Sequence, residues 1–459
     1  MRTDIVILAA GQGSRMKSKL PKVLHHIAGK PMLEHVVTAA RNSQPQHMQG
    51  KIHIVVGHGA DQVRDQSGMH EVSWIQQNQQ LGTGHAVKQA LPKLKGADTV
   101  LVIYGDVPLI NPCTLATLTE ACGGQHLALL TATIPDPAGY GRIIRDSFGD
   151  IKAIVEHKDA TPGQLAIKEV NTGIMAIPGD RVAYWLEKLS NNNAQQEYYL
   201  TDIVAMAVNE GFSIVHAQPT RLTEVQGINS RLQLSELERI YQKQQAEAFM
   251  EAGVTILDPQ RIDFRGDIQI GQDVALDVNV ILEGKVVLGD NVTIEPGCII
   301  RNTKIASNVV VKAHSLLEGA VILSGCEVGP FARLRPGTEL ADNAKVGNFV
   351  EIKQSHIGSG SKANHLTYIG DASVGTNVNI GAGVVTCNYD GANKYKTIIN
   401  DGAFIGTNSA LVAPVTIGRR ATTAAGSVIT RDLADEELGI ARGRQRNING
   451  WKRPSKQKD

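Results

Sequence analysis

The stretch Leu8-Ala9-Ala10-Gly11-Gln12-Gly13-Ser14-Arg15-Met16 ends an apolar run in a glycine-rich turn, and Pro21-Lys22 follows closely. Bare backbone N–H groups at such a turn approach phosphate closely, and Arg15 and Lys22 add two cations beside them. The turn is not a P-loop, because GxxxxGK[ST] is absent, and not G-x-G-x-x-G, because Met16 holds the third glycine position. Val100-Leu101-Val102-Ile103-Tyr104-Gly105-Asp106 sets an aspartate at the carboxyl end of an apolar strand, where open α/β sheets bind ligands. Its carboxylate suits Mg²⁺, which keeps several waters and bridges phosphates through one or two protein oxygens. Taken alone, the same aspartate is a turn cap. Gln77-Asn78-Gln79-Gln80-Leu81-Gly82-Thr83-Gly84 is a polar loop that either reads a base edge or covers the surface. Gly139-Tyr140-Gly141-Arg142, Glu156-His157-Lys158 and Asn171-Thr172-Gly173 are further polar islands between strands.

The second half of the chain offers three histidines, His314, His356 and His365, and spacing does not choose among them. His365, in Asn364-His365-Leu366-Thr367-Tyr368, is the candidate base, since an imidazole takes a proton near neutral pH. Thr386-Cys387-Asn388-Tyr389-Asp390-Gly391-Ala392-Asn393-Lys394-Tyr395-Lys396-Thr397 breaks the repeat described next and must project as a loop. In a solenoid such interruptions lie on the binding face. Arg442, Arg444, Arg446, Lys452, Arg453, Lys456 and Lys458 make the end of the chain basic, a solvated tail or a phosphate contact.

Two architectures must position these residues. Over residues 1–229, short aliphatic runs such as Ile5–Ala9, Ile52–Val56 and Thr99–Ile103 alternate with helical stretches such as Met32–Ala40 and His85–Leu91. That alternation predicts a parallel sheet with helices on its faces. Ser230 to Glu251 lacks Gly and Pro and reads as one long helix leading into the next domain. After Gly253 a period of six takes over: positions 270, 276, 282, 288, 294 and 300 are Ile, Leu, Leu, Leu, Ile and Ile. Positions 268, 274, 280, 286, 292 and 298 are Ile, Val, Val, Val, Val and Cys. The period returns at 399, 405, 411, 417, 423 and 429. Six fits neither an isolated helix nor a plain strand; it fits a parallel β-helix of about 18 residues per coil.

Composition narrows the function classes. Forty-six Lys and Arg against 45 Asp and Glu leave a net charge of +1, with no basic field for nucleic acid. No run of 18 apolar residues spans a membrane, and the apolar start is too short for a signal peptide. Five scattered cysteines without a C-x-x-C pair argue against a disulfide framework or a zinc site and for a cytosolic chain.

Longer motifs carry a resemblance. LAAGxGxRMxxxxPK at 8–22, QLGTGHA at 80–86, YGDVPL at 104–109, GYGRI at 139–143, EHKDA at 156–160, NTGI at 171–174 and NNNAQxEYYLTD at 191–202 resemble a sugar-phosphate nucleotidyltransferase. GPFARLRPG at 329–337, VGNFVEIK at 346–353, KANHLTYIGD at 362–371, NIGAG at 379–383 and CNYDGANKYKT at 387–397 resemble a hexapeptide-repeat acetyltransferase. In this order and joined by one helix, they resemble the bacterial bifunctional N-acetylglucosamine-1-phosphate uridyltransferases/glucosamine-1-phosphate N-acetyltransferases, from about Asp4 to Arg453. The resemblance implies a Rossmann-like α/β uridyltransferase domain at 1–231, a helical linker at 232–252, and a left-handed parallel β-helix with a basic tail at 253–459. It implies that Leu8, Ala9, Ala10, Gly11, Gln77, Gly82 and Thr83 hold the uridine nucleotide, UTP or UDP-N-acetylglucosamine. Arg15 and Lys22 would steady phosphate charge, Asp106 and Asn229 bind Mg²⁺, and Tyr104, Gly105, Gly141, Glu156 and Asn171 line the sugar end. In the acetyltransferase site His365 would be the base, supported by Glu351, with Arg335, Lys353, Tyr368 and Asn379 on the sugar phosphate. Ala382, Asn388, Tyr389, Thr407, Ala425 and Arg442 would contact acetyl-CoA; the family usually shows serine where Thr407 stands. The same resemblance implies a cytoplasmic homotrimer that supplies a precursor of peptidoglycan and lipopolysaccharide. Two other readings compete: a nucleotidyltransferase whose β-helix only trimerises, and a non-enzymatic exchange or scaffold subunit, which would have no use for Arg15, Lys22 and Asp106.

Overall fold

A computed structural model describes residues 1–44, 49–66, 69 and 71–456. The chain forms two compact units, Met1–Tyr241 and Gln242–Asp459. The border falls inside a single helix, Arg231–Glu251, which is the helix expected from the Gly- and Pro-free stretch. None of the described helices is long and apolar enough to cross a membrane.

The first unit is built on a sheet whose main order is Ile214–Ala217, Leu127–Thr133, Glu169–Pro178, Thr99–Tyr104, Thr3–Ala9, Gln49–Val56, Ser73–Gln76. Thr3–Ala9 is buried at all seven positions. It alternates faces as a strand must: Ile5, Ile7 and Ala9 pack with Leu33 and Val36, while Val6, Leu8 and Ala10 pack with Val87 and Trp185. Thr99–Tyr104 and Gln49–Val56 flank it in parallel, so three strands release their chains at one edge. The sheet is mixed, not purely parallel as the alternating pattern predicts. Glu169–Pro178 runs antiparallel to both its neighbours. The reason is local: the chain between Thr133 and Glu169 carries the hairpin Gly141–Arg145/Ile151–Val155 and only a four-residue helix, Pro162–Leu165, so no helical crossover reverses its direction.

The second unit is a parallel β-helix. Ile262–Ile270 pairs in parallel with Val280–Leu288 at an 18-residue step. Of the twelve periodic positions between 268 and 300, ten are buried, and Ile268 and Ile270 of the first coil pack part-buried against the same core. Beyond Ile300 the step shortens: Ile300 pairs with Leu317 and Leu317 with Leu334, 17 residues each. Shortened coils erase a strict period of six, which explains its silence in the sequence from 300 to 399. Val374 then pairs with Ile399, a 25-residue coil that contains the projecting 387–397 segment. The corners hold buried hydroxyls returned to the backbone, as where Ser409 donates to the Gly406 carbonyl at 2.7 Å.

Candidate active sites

In the first unit the three parallel strands open onto a cleft of about 250 Å³ lined by Leu8, Ala9, Ala10, Gly11, Lys22, Gln77, Gly82, Thr83, Tyr104 and Asp106. All seven residues expected to hold the uridine nucleotide are among them, together with Lys22, Tyr104 and Asp106. Val23, Gln80, Ala86 and Glu197 line it as well and were not singled out. Gln80 and Glu197 stood within the quoted motifs; nothing in their spacing marked them. Gly13 has φ 62°, and a Cβ there would lie 2.7 Å from Lys22 Cβ. Only glycine lets the lysine stem pass so close to the turn, which ties the glycine-rich motif to the position of its cation. Arg15 is exposed on the short helical turn Ser14–Met16, with Met16 buried beneath it.

Lys22 is the hub of the polar end. Its Nζ pairs with Asp106 Oδ2 and donates to Asn229 Oδ1 at 3.0 Å. Asn229 is held there by its chain: its N–H donates to Gln233 Oε1 at 2.8 Å, and Ile228 N–H to the Asp106 carbonyl at 2.9 Å. A carboxylate and an amide oxygen thus converge on one cation position. Two hard oxygen donors with space for water and phosphate match what Mg²⁺ takes, so Asp106 and Asn229 fit the ion expected of them. No cluster of three or more His, Cys, Asp or Glu able to hold a metal occurs among the described residues.

The residues expected to line the sugar end are set by close approaches, and of them only Tyr104 lines the cleft. Tyr104 lies under Gly173 (φ 86°), where a Cβ would be 2.8 Å from the tyrosine hydroxyl. Burial, with Glu156 and Asp106 nearby, pushes the Tyr104 phenol well above its ordinary range, so it stays neutral. Glu156 lies beside Gly141 and accepts a 2.9 Å hydrogen bond from Thr201 Oγ1. Burial raises its carboxyl, and Asp202 and Asp159 add to this against the Thr201 bond. Asn171, buried, accepts from Gly173 N–H at 3.1 Å.

The solenoid carries two further groupings. In the first, Asn348 and His365 are register partners on successive coils, and His365 Nδ1 lies 2.7 Å from Asn348 Oδ1. With Nδ1–H donated to that oxygen, Nε2 carries the lone pair of a base. Backbone bonds continue the row: Gly383 N–H to the His365 carbonyl (3.3 Å), Asn408 N–H to that of Ala382 (2.8 Å), and Gly426 N–H to that of Thr407 (2.8 Å). His365, Ala382, Thr407 and Ala425 are therefore stacked along one edge, and Arg442 Nη1 closes onto the Ala425 carbonyl at 2.8 Å.

In the second grouping Arg335 Nη1 donates to Glu351 Oε1 at 2.9 Å. Glu351, expected beside His365, is thus held by Arg335, and the hydrogen-bonded support of the imidazole is Asn348. Asn348 was quoted within VGNFVEIK, but its role follows from register, which one sequence does not display. Lys394, from the projecting loop, sits against Lys353 and with Arg335 drives its ammonium below the ordinary range; Asp371 opposes this. Three cations gathered this way call for an anion. Asn388 donates to Asp371, and Tyr389 is exposed on the loop, its hydroxyl on the Gly391 carbonyl. Tyr368 lies beside Gly370, where a Cβ would be 2.4 Å from its hydroxyl. Asn379 stands on the other sheet, between Lys362 and Phe404, without a side-chain hydrogen bond among the described residues.

Asn348→Ala is expected to lower acetyl transfer about tenfold, the cost of one lost orienting hydrogen bond of about 1.4 kcal/mol. Asn348→Asp, which keeps the acceptor, is expected to retain the rate. Steady-state thiol release from acetyl-CoA reads both.

Comparison with known proteins agrees with this division. The MobA-like NTP transferase domain matches residues 5–252, the GMPPB C-terminal domain 264–357, and the bacterial transferase hexapeptide, six repeats, 396–431. The bifunctional protein GlmU of Pseudomonas putida is 58% identical over 99% of this chain and 99% of its own. GlmU of Idiomarina loihiensis is 56% identical over the whole of both chains, and that of Cellvibrio japonicus 58% over 99% of each. With a cleft at the strand ends of one unit and a supported imidazole in the other, the chain belongs to the bifunctional GlmU family, the N-acetylglucosamine-1-phosphate uridyltransferases/glucosamine-1-phosphate N-acetyltransferases that its motifs resemble.

Proposed function

We propose that the chain makes UDP-N-acetylglucosamine in two steps, acetylating glucosamine-1-phosphate in the β-helix and uridylylating the product in the α/β unit. The observation that carries this is the pairing, on one chain, of the Lys22–Asp106–Asn229 cluster with the His365–Asn348 dyad. In the first reaction His365 Nε2 takes a proton from the sugar amine as it attacks the thioester carbonyl of acetyl-CoA, and the CoA thiolate leaves. Arg335, Lys353, Tyr368 and Asn379 hold the sugar phosphate, with Lys394 joining them, and Glu351 orients Arg335. Ala382, Thr407, Ala425 and Arg442 line the acetyl-CoA row, with Asn388 and Tyr389 beside it.

In the second reaction the sugar-1-phosphate oxygen attacks the α-phosphorus of UTP in line and pyrophosphate leaves. The protein supplies position and charge rather than a covalent intermediate. Leu8 to Gly11, Gln77, Gly82 and Thr83 seat the nucleotide; Tyr104, Gly105, Gly141, Glu156 and Asn171 seat the sugar. Arg15 and Lys22 neutralise phosphate. Asp106 and Asn229 would hold Mg²⁺, which when bound would supply further neutralisation of phosphate charge.

On this reading residues 1–231 are the uridyltransferase domain, 232–252 its linker and 253–459 the acetyltransferase domain. The protein works as a cytoplasmic homotrimer through its left-handed solenoid and feeds peptidoglycan and lipopolysaccharide synthesis. Mass spectrometry of a mixture of protein, glucosamine-1-phosphate, acetyl-CoA, UTP and Mg²⁺ tests it. A UDP-N-acetylglucosamine peak is expected. Accumulation of N-acetylglucosamine-1-phosphate alone would refute the α/β half, and the absence of both products would refute the whole.

A further inference from the structure

Lys22 and its two oxygen partners reach the cleft from different segments of the first unit. Lys22 opens the helical turn Lys22–Leu24, whereas Asn229 lies two residues before the helix Arg231–Glu251. The bond from Ile228 N–H to the Asp106 carbonyl makes Asp106 and Asn229 one body. When Lys22 turns to a phosphate and the two oxygens turn to a cation, the bonds that now join lysine and oxygens are exchanged for bonds to the ligands. Another contact must then keep the lysine's turn in register with that body, because small misplacements of reacting groups are costly.

His25 makes such a contact. It is only 5% exposed and its backbone is fixed at both ends: its N–H donates to the Lys22 carbonyl at 3.2 Å, and its carbonyl accepts from Met32 N–H at 2.9 Å. Its Nδ1 lies 3.2 Å from Arg231 Nη1. A guanidinium has donors and no acceptor, so the direction of this bond is fixed: Nδ1 offers the lone pair and Nε2 carries the proton. Turning the ring over would set a C–H against the cation and forfeit the bond. Burial, with Arg231 and His26 adding to it, holds the imidazole below its ordinary range against the Leu20 carbonyl, so the lone pair is present at neutral pH. Further along, Ala28, left-handed at φ 49°, donates its N–H to Glu238 Oε2 at 2.8 Å, and Ile27 and Met32 pack with Ile228 and Leu237. The apolar contact draws the two segments together but has no direction. The bond between His25 and Arg231 is directional, and it stands nearer in the chain to Lys22 and Asn229 than the Ala28–Glu238 bond does.

We propose that His25 is a positioning residue for uridylyl transfer: as the acceptor of Arg231 it latches the turn bearing Lys22 to the segment bearing Asn229, so that the ammonium and the two oxygens keep their places when each turns to the substrate. This rests on the assignment of UTP to that cleft.

The test uses the full-length protein and two readouts: kcat for uridylyl transfer, from pyrophosphate release, and the dissociation constant of UDP-N-acetylglucosamine with Mg²⁺, from calorimetry. His25→Phe keeps a ring and loses the lone pair, and Arg231→Met keeps a stem and loses the donors. Each is expected to lower kcat about tenfold and to weaken UDP-N-acetylglucosamine binding by a similar factor, the worth of one hydrogen bond to a charged group. His25→Asn sets an amide oxygen near the place of Nδ1 and is expected to keep both values. Two losses that act through one bond do not multiply, so His25→Phe/Arg231→Met is expected to match either single variant. Losses that multiply to about a hundredfold in the double variant overturn the proposal, as does a His25→Asn protein no better than His25→Phe. If His25→Phe does not fold, Arg231→Met, at an exposed position, is set beside His25→Asn, and wild-type values in Arg231→Met overturn the latch. If the unaltered protein neither binds UDP-N-acetylglucosamine nor releases pyrophosphate, the nucleotide assignment fails first and this inference with it.

Discussion

His365→Ala is expected to lower acetyl transfer about 10³-fold and to leave uridylyl transfer at its full value, read as CoA and pyrophosphate release on one preparation. The size follows from what the imidazole does. An ammonium group is no nucleophile, so the attacking amine must shed a proton, and His365 is the only base of the stacked row. The selectivity follows from placement: His365 belongs to the solenoid unit and Lys22 and Asp106 to the other. His314 and His356 serve as controls. His314 stacks on Phe331 at 5.1 Å and His356 faces Glu339 at 3.8 Å, so alanine at either is expected to change acetylation less than tenfold, about 1.4 kcal/mol. Equal loss of both activities in His365→Ala would refute the two-site reading.

Lys22→Ala is expected to give the mirror image, with uridylyl transfer reduced about 10²- to 10³-fold and acetyl transfer kept. Its ammonium gathers Asp106 Oδ2 and Asn229 Oδ1, so its removal costs the charge that meets the phosphates and also the order of the two oxygens expected to hold Mg²⁺. Asp106→Asn separates these two contributions. It keeps an oxygen for the lysine but withdraws a negative charge, so the Mg²⁺ concentration for half-maximal rate is expected to rise about tenfold or more, as it would not in Lys22→Ala. A wild-type rate in Lys22→Ala would remove the lysine from the mechanism.

What could be read in advance was whatever the chain repeats or whatever sits in a short motif. Valine and leucine six apart announced the solenoid because each side of a coil buries the same position, as at Val280, Val286 and Val292. The reading fell silent where 17-residue coils replaced 18-residue ones, since one missing residue shifts every later position. Lys22, Asp106 and Gln77 were legible because glycine turns and strand ends are local features. Asn348 was not, since its value depends on lying 17 residues below His365 in a coil register that only stacking defines. Glu351 illustrates the converse: its type suited a histidine partner, yet Arg335 is the cation beside it. The antiparallel return of Glu169–Pro178 escaped because its strand pattern carries no sign of direction.

A stack of coils is tied together only by neighbours, so its terminal coil is anchored on one side and frays first. The final pairing, Leu438–Gly439 on Thr422–Thr423, is that end, and Arg442 reaches back from just beyond it to the Ala425 carbonyl. Asn348 and His365 lie several coils inward, clamped from both sides. The solenoid thus grades rigidity along its own axis: the His365–Asn348 pair occupies the stiff interior of the column, and Arg442, proposed to meet acetyl-CoA, stands at its loose end.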